Sequence, residues 1–385
     1  MNVTQITVGR FHHFHLARQL EKKGLLDCLW TGYPRFKLTD EQNIPKEKIK
    51  VFPWLQTVYM ARAKVGIAGW SWLDKELWWQ ACNTLDQYVA KQIKGPTVLI
   101  ALSGSGLHAG KSVQQKGGKY ICDRGSAHIR FQQDILKEEY NRWGLNYTGV
   151  DPRIISKEEA EYEQADQITV PSEFVKNSFI KMGVSVSKLN KVVYGARLER
   201  FNKIAEPSKS TFTVLYVGSV SIRKAFLDLL IAFNLLTHPK KELLVIGAVT
   251  PEIQPLLLKY NLNQVSFLGQ VPNAQLPAYY SKAHVFVLPS IEEGLAMVQG
   301  EALACGCPVI ATTNTGSEDL FTDKKEGFIV PIRSPEIIAE RMQELADNEE
   351  FRMEMSAAAA LKIKSLSGWD TYGDQYENLL RTLKA

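Results

Sequence analysis

The sequence predicts an α/β protein of two Rossmann-like domains, each a parallel sheet wrapped by helices. Three observations carry that prediction. Short apolar, β-rich runs alternate with helical segments in both halves of the chain, the pattern of successive βαβ units. The 385 residues exceed one ordinary core and suit two domains of similar size. The polar run Ala205-Glu-Pro-Ser-Lys-Ser210 divides the two alternations and is the best linker in the chain. The expected division is therefore 1–205 and 206–365, with a last helix at about 366–385.

Composition narrows the class. Hydrophobic content of 45% and charged content of 23% are those of a globular protein. A net charge of +5 suits anionic substrates or an anionic membrane face and falls well short of a nucleic-acid footprint. Five scattered cysteines, Cys28, Cys82, Cys122, Cys305 and Cys307, fit neither a zinc site nor a redox pair and indicate a reducing compartment. A strand follows Met1 at once, and no apolar run approaches the ~20 residues that span a bilayer. The expectation is a cytoplasmic protein, or one peripheral at the inner face of a membrane.

Taken in order, 3–8 is a strand, 9–15 the turn after it, 16–23 a helix stopped at Gly24, and 26–30 a second strand, together a βαβ unit. Gly9 sits where backbone can approach a ligand closely. His12, His13 and His15 have no standard metal spacing and read as ordinary pocket or surface residues. Residues 50–80 gather Trp54, Trp70, Trp72, Trp78 and Trp79 with Tyr59, Met60, Arg62, Lys64 and Lys75. They form either a packed helical excursion, which the imperfect periodicity favours, or an interfacial or acceptor-binding face.

A strand at 97–102 leads into Ser103-Gly-Ser-Gly-Leu-His-Ala-Gly-Lys-Ser112. This nearly spells a phosphate-cradling loop, with Ser105 where its first glycine belongs. It also reads as a dinucleotide fingerprint through Gly104, Gly106 and Gly110, with Asp123 ending the next strand. The two readings exclude each other, and a glycine-rich strand end in any α/β domain looks similar. Asp123 and His128, in Asp123-Arg-Gly-Ser-Ala-His128, stand at a strand's carboxyl end and are the first domain's candidates for catalytic or substrate contacts. The plainer alternative is a turn-forming aspartate and a surface histidine. A helix over 131–143, a helix over 158–163, a strand over 166–171 and a helix capped by Ser172 follow. The stretch 191–197 closes the first domain.

The second half places strands at 212–217, 243–247, 265–268, 285–288, 309–311 and 328–330. Gly218-Ser-Val-Ser-Ile-Arg-Lys-Ala225 joins the first of these to a helix from Phe226. Arg223 and Lys224 lie at that helix start, where an anion binds well, although an exposed basic pair is the simpler reading. The stretch 289–312 reads as strand end, loop, helix from about Leu295, a stop at Gly306 and Pro308, and a buried strand. Glu293 lies on its loop. Glu301 lies two turns into its helix on a stripe with Met297, Val298 and Cys305, where a carboxylate needs hydrogen-bond donors. Sugar hydroxyls would satisfy both acids, and the helix amides between them would suit a phosphate; taken singly, a solvated loop acid at Glu293 and a capped or paired surface acid at Glu301 are the simpler readings. Residues 369–383 read as a final amphipathic helix.

These motifs, in this order, resemble the retaining glycosyltransferases of family 4, which have the GT-B fold: two facing Rossmann-like domains with a nucleotide-sugar in the cleft. Glu293 and Glu301 match the family's Glu, seven residues, Glu motif, and Gly218 and Lys224 match its diphosphate loop. Leu268-Gly-Gln-Val-Pro272 with Leu276 and Tyr280, Val287-Leu-Pro-Ser290 and Gly306-Cys-Pro-Val-Ile-Ala-Thr-Thr313 add to the likeness. So do Val170-Pro-Ser-Glu-Phe-Val175 and Tyr194-Gly-Ala-Arg-Leu-Glu-Arg-Phe201. The resemblance covers roughly 165–380 well and the first 160 residues in outline.

It implies that Glu301 holds the donor ribose and Glu293 the transferred sugar. Lys224, helped by Arg223, would neutralise the diphosphate. Gly218, Ser219 and Gly9 would line the donor site, with backbone at Gly294, Leu295, Ala296, Met297 and Val298 on phosphate and sugar and Val271 at the base. No metal or other cofactor is implied, and the chain has no Asp-x-Asp sequence. The donor would be a UDP- or GDP-sugar and the acceptor a glycan or lipid-linked sugar of a cell-surface polysaccharide, lipopolysaccharide or glycolipid. Transfer would proceed from the front face by charge neutralisation and positioning. Ser219 stands where the family has an arginine, Ala225 and Ala296 where it has glycine, and the first-domain acid or histidine maps to Asp123 or His128. Two other classes remain: an NAD(P)-dependent oxidoreductase using Gly104, Gly106, Gly110 and Asp123, and a non-catalytic sugar-nucleotide-binding protein of this fold.

Overall fold

The computed structural model describes residues 2–62, 71–196, 198–363 and 368–383. Lys64, Trp70 and Arg197, singled out above, lie outside them.

Seven short runs form the first sheet: β1 (Val3–Thr7), β2 (Leu26–Thr31), β3 (Ile49–Val51), β4 (Val98–Leu102), β5 (Lys119–Asp123), β6 (Gln167–Val170) and β7 (Leu189–Lys191). Six form the second: β8 (Phe212–Val217), β9 (Lys241–Ile246), β10 (Val265–Gly269), β11 (Val285–Leu288), β12 (Val309–Thr312) and β13 (Gly327–Val330). Their orders are β3-β2-β1-β4-β5-β6-β7 and β10-β9-β8-β11-β12-β13, and every pairing is parallel. This is the α/β architecture expected from the alternation. Central strands such as Phe212–Val217 are buried throughout, which is why they read as unbroken apolar runs. Each sheet reverses strand order once, between β1 and β4 and between β8 and β11, and such reversals open a crevice at the strands' carboxyl ends.

The sequence reading missed β3 and β7. Both are three-residue edge strands, too short to show a period. The helix expected at 158–163 begins earlier, spanning Pro152–Gln164, because Asp151 caps it by accepting the Arg153 N–H and Pro152 fits the first turn. The helix of the 289–312 stretch is shorter than expected, Val298–Ala304, so Glu301 lies in its first turn. Residues 295–297 instead form a loop tied down by the Ala296 N–H donating to the Thr315 carbonyl, 3.1 Å.

Trp78 and Trp79 pack against the first domain's core, whereas Trp54 and Trp72 are 72% and 67% exposed. Trp78 and Trp79 thus follow the packed reading, and Trp54 and Trp72 stand at the surface. The last helix, Trp369–Thr382, crosses back onto the helix His13–Lys22 of the first domain, where Lys23 pairs with Glu377 at 2.8 Å. The helix Ile129–Arg142 leans the other way: Tyr140, Trp143 and Leu145 pack on the second domain's core. No helix of the described residues is long and apolar enough to cross a membrane.

Candidate functional site

The carboxyl ends of the two sheets meet along one seam. Gly294, just past β11, packs so closely on the loop after β5 that a Cβ there would lie 1.7 Å from the Gly125 carbonyl oxygen. The Ser172 hydroxyl donates to the Gly294 carbonyl, 2.6 Å.

On the second domain's side, Gly218 leaves β8 at φ +155°, which favours glycine, and donates to the Ile246 carbonyl. Ser219 is exposed, with its carbonyl accepting from the Tyr216 hydroxyl at 2.7 Å. The chain then turns at Ala225 (φ +48°, ψ +38°) into the helix Phe226–Leu235. A left-handed residue at this turn accounts for glycine being usual there. Arg223 and Lys224 precede it and meet the acids of the neighbouring loop. Lys224 pairs with Glu293, and Arg223 Nη2 lies 2.9 Å from Glu292 and 3.9 Å from Glu293. Burial pulls the Arg223 guanidinium down, but Glu292 and Glu293 more than compensate and hold it above its ordinary value.

Glu292 escaped the sequence reading. It is fully buried, accepts the Ala127 N–H at 3.0 Å and the Gln132 side-chain N–H at 2.7 Å, and so clamps the first domain's loop to Arg223. Two acids in succession at 292–293 were the available signal. Glu301 is partly buried; burial raises its carboxyl, and the Tyr280 hydroxyl, donating at 3.2 Å, offsets part of that. Met297 and Val298 are partly buried against the second domain's core, as is Val271. The Ala296 amide already serves Thr315, so the expectation of a free row of amides over 295–298 does not hold at that position.

On the first domain's side the structure separates Asp123 from His128. His128 caps the helix Ile129–Arg142, accepting from the Arg130 N–H. Its ring packs on Tyr162 and Phe179 and lines a cavity of about 440 Å3 with Arg130, Glu159 and Lys188. Burial pushes its imidazole down to about 4. Asp123 is 3% exposed. Its Oδ1 accepts from the Thr169 and Tyr376 hydroxyls at 2.6 and 3.0 Å. Its Oδ2 meets His12 Nε2, and His13 Nε2 at 2.9 Å. Burial alone would raise this carboxyl, but the two imidazoles hold it well below the usual range.

The sequence presents His12 and His13 as ordinary pocket or surface residues, and their convergence on Asp123 is a finding of the fold. These three donors lie within 4.8 Å of one another, the one group among the described residues with a metal's ligand count. The His12 approach is that of a hydrogen bond, whereas His13 Nε2 lies at ion-pair distance from the same oxygen without hydrogen-bond geometry. His15 stacks on Trp369 at 3.8 Å. Gly9 is covered: a Cβ there would meet the Phe11 ring at 2.5 Å, and Phe11 is 59% exposed at φ +23°.

The glycine-rich stretch proves to be structural. Glu161 accepts the N–H groups of Gly104, Gly106 and Leu107 at 2.6, 2.8 and 3.0 Å. Asp86 accepts those of His108 and Ala109 at 3.0 and 2.8 Å. The chain's own carboxylates therefore occupy the place a phosphate would take. Gly106 and Gly110 lie against Tyr120, where a Cβ at Gly110 would come 2.5 Å from the ring. Both the P-loop and the dinucleotide readings of Gly104, Gly106 and Gly110 are corrected by this geometry.

Residues 198–362 match the family model Glycosyl transferases group 1. Among curated relatives, the chain is 26% identical over 242 residues to the capsular polysaccharide biosynthesis glycosyltransferase CapM of Staphylococcus aureus, covering 57% of this chain and 62% of that one. It is 32% identical over 126 residues to a GDP-mannose-dependent phosphatidylinositol monomannoside mannosyltransferase of Mycobacterium tuberculosis, covering 31% and 33%. The matches thus span from about a third to three fifths of these relatives' length. Among solved structures, sucrose-phosphate synthase from Thermosynechococcus elongatus superposes with a TM-score of 0.69 at 20% identity, covering 100% of this chain and 99% of that one. Anabaena HepE in complex with UDP superposes at 0.68 and 14%, covering 99% and 100%. Residues 198–362 are thus a glycosyl transferases group 1 domain, and the described chain has the GT-B fold of two Rossmann-like domains.

Proposed function

We propose that the protein is a retaining glycosyltransferase. It would move a sugar from a UDP- or GDP-sugar to a glycan or lipid-linked acceptor in polysaccharide, lipopolysaccharide or glycolipid synthesis. The observation that carries this reading is the pairing of Lys224 with Glu293 at the seam between the sheets, beside Arg223 and Gly218 and within the matched family domain. A cation on a glycine-started loop answers a diphosphate leaving group. A carboxylate facing it answers sugar hydroxyls once the diphosphate has drawn the cation away. Glu301 with Tyr280 behind it would receive the ribose, and the backbone near Val271 the base. Gly294, Leu295, Met297 and Val298 would border phosphate and sugar, and Ser219 would leave the missing arginine's work to Arg223. In this reading Lys224 and Arg223 provide the positive charge, so no metal is required. The solved neighbour with bound UDP and the relative named for GDP-mannose support these two nucleotides as first choices. The protein's place would be the cytoplasm, with peripheral contact at the inner face of a membrane through the exposed Trp54 and Trp72.

Thermal unfolding against UDP-, GDP-, ADP- and TDP-sugars tests the reading. One nucleotide class at a hundred times its dissociation constant should add about 2.7 kcal/mol, and Glu301→Ala should abolish the gain. Stabilisation by none of them would sink the proposal, and the anomeric configuration of the product, read by NMR, tests retention.

A further inference from the structure

We propose that His12, held by Asp123, is the group that binds the acceptor hydroxyl and takes its proton, an inference that rests on the glycosyl-transfer reading above. Asp123 is itself walled in. Both of its oxygens are engaged, by Thr169 and Tyr376 on one side and His12 and His13 on the other, so it has no lone face for a sugar. His12 does. Its side chain is 12% exposed, only Nε2 is tied to Asp123, and Nδ1 has no hydrogen bond among the described residues. The Cε1 edge between the two nitrogens faces Gly125, where a Cβ would come within 3.5 Å of it. Gly125 is the residue against which Gly294 of the Glu293 loop is packed. The imidazole therefore stands at the lip where the two domains meet.

A second observation points to a ligand at the same spot. The Tyr194 hydroxyl is buried with no hydrogen-bond partner, its ring lies 4.5 Å from that of His12, and a Cβ on Gly125 would meet its oxygen at 2.9 Å. A buried hydroxyl without a partner is costly, and a hydroxylic ligand beside His12 would satisfy it. Glycine at 125 lets the loop pack directly against His12 and the Tyr194 hydroxyl, where a side chain would clash.

The step balances on these residues. The acceptor oxygen forms its bond to the anomeric carbon as its proton passes to His12 Nδ1. The bond from that carbon to the phosphate oxygen breaks with its electron pair on the diphosphate, which Lys224 neutralises. Asp123 stabilises the imidazolium and fixes the ring, a positioning role, until the proton leaves to solvent.

The test compares two nucleophiles with the nucleotide-sugar identified by the thermal panel: water, which must lose a proton, and azide, which has none to lose. His12→Gln should lower donor hydrolysis by about a hundredfold or more, with azide transfer within about threefold of wild type and the donor-induced thermal shift unchanged. Tyr194→Phe, which keeps the buried ring, should move hydrolysis in the same direction more weakly and stands in if the His12 variant does not fold. Hydrolysis unchanged, or hydrolysis and azide transfer falling together, would overturn the assignment. Loss of donor binding in the wild type would instead strike the transfer reading itself.

Discussion

At the scale of single residues, the most informative groups are buried acids whose surroundings the sequence does not display. Glu161 lies in a helix and reads locally as one more helical glutamate, yet it fills the glycine-rich turn after β4. Burial pushes its carboxyl up to about 8, against the pull of Lys157 and the Gly106 N–H. A carboxyl whose folded value lies above its unfolded value of about 4.3 favours the folded state most at low pH, and that contribution is lost as pH rises through about 8. Wild-type stability should therefore carry a falling component between about pH 5 and pH 8. Glu161→Gln, measured by urea unfolding across that range, should remove it, and an unchanged pH slope would refute this role. Glu292 teaches the same lesson: its partners Ala127, Gln132 and Arg223 come from both domains, and no local pattern announces such a meeting.

At the scale of elements, the turn from β8 into its helix was legible because glycine, basic residues and an apolar run follow one another in order. Its strain was not. Ala225 is buried in the left-handed region, which costs an alanine about 1–2 kcal/mol, while its methyl packs with Leu136 and Ile291. These effects offset, so Ala225→Gly should lie within about 1 kcal/mol of wild type. Ala225→Val adds a β-branch to a tight site and should cost about 3 kcal/mol. Denaturant unfolding checks both, and a Val variant as stable as the Gly one would contradict the turn's geometry. Central strands such as β8 and β11 were readable because burial on both faces makes them continuous apolar runs. The edge strands β3 and β7, and the late start of the helix Val298–Ala304, were not, because backbone hydrogen bonds to distant loops decide them.

At the scale of the molecule, two alternating halves and a linker were enough to indicate paired Rossmann-like domains, since that inference needs only periodicity and length. How the halves touch was illegible, because contacts such as Arg142 with Asp228 at 2.8 Å and Arg333 with Glu139 at 2.6 Å join residues far apart in sequence. The seam's tightest point is Gly294 on Gly125. Gly294→Ala should force the lips apart by the width of a methyl group. Displacements near 1 Å can cost about a hundredfold in rate, so transfer should fall by that order while the unfolding midpoint moves little. Small-angle scattering should report a larger radius of gyration, and an unaltered rate would refute the seam's role.

The reach of Tyr376 across 253 positions to Asp123 also bears on synthesis. A chain growing from its amino end makes Asp123, His12 and His13 early, then must produce the entire second sheet before the hydroxyl that completes their hydrogen bonding exists. Closing so long a loop is slow relative to local pairing. The first domain is thus begun first and finished last: on the ribosome Asp123 stays incompletely held until the second domain has been made.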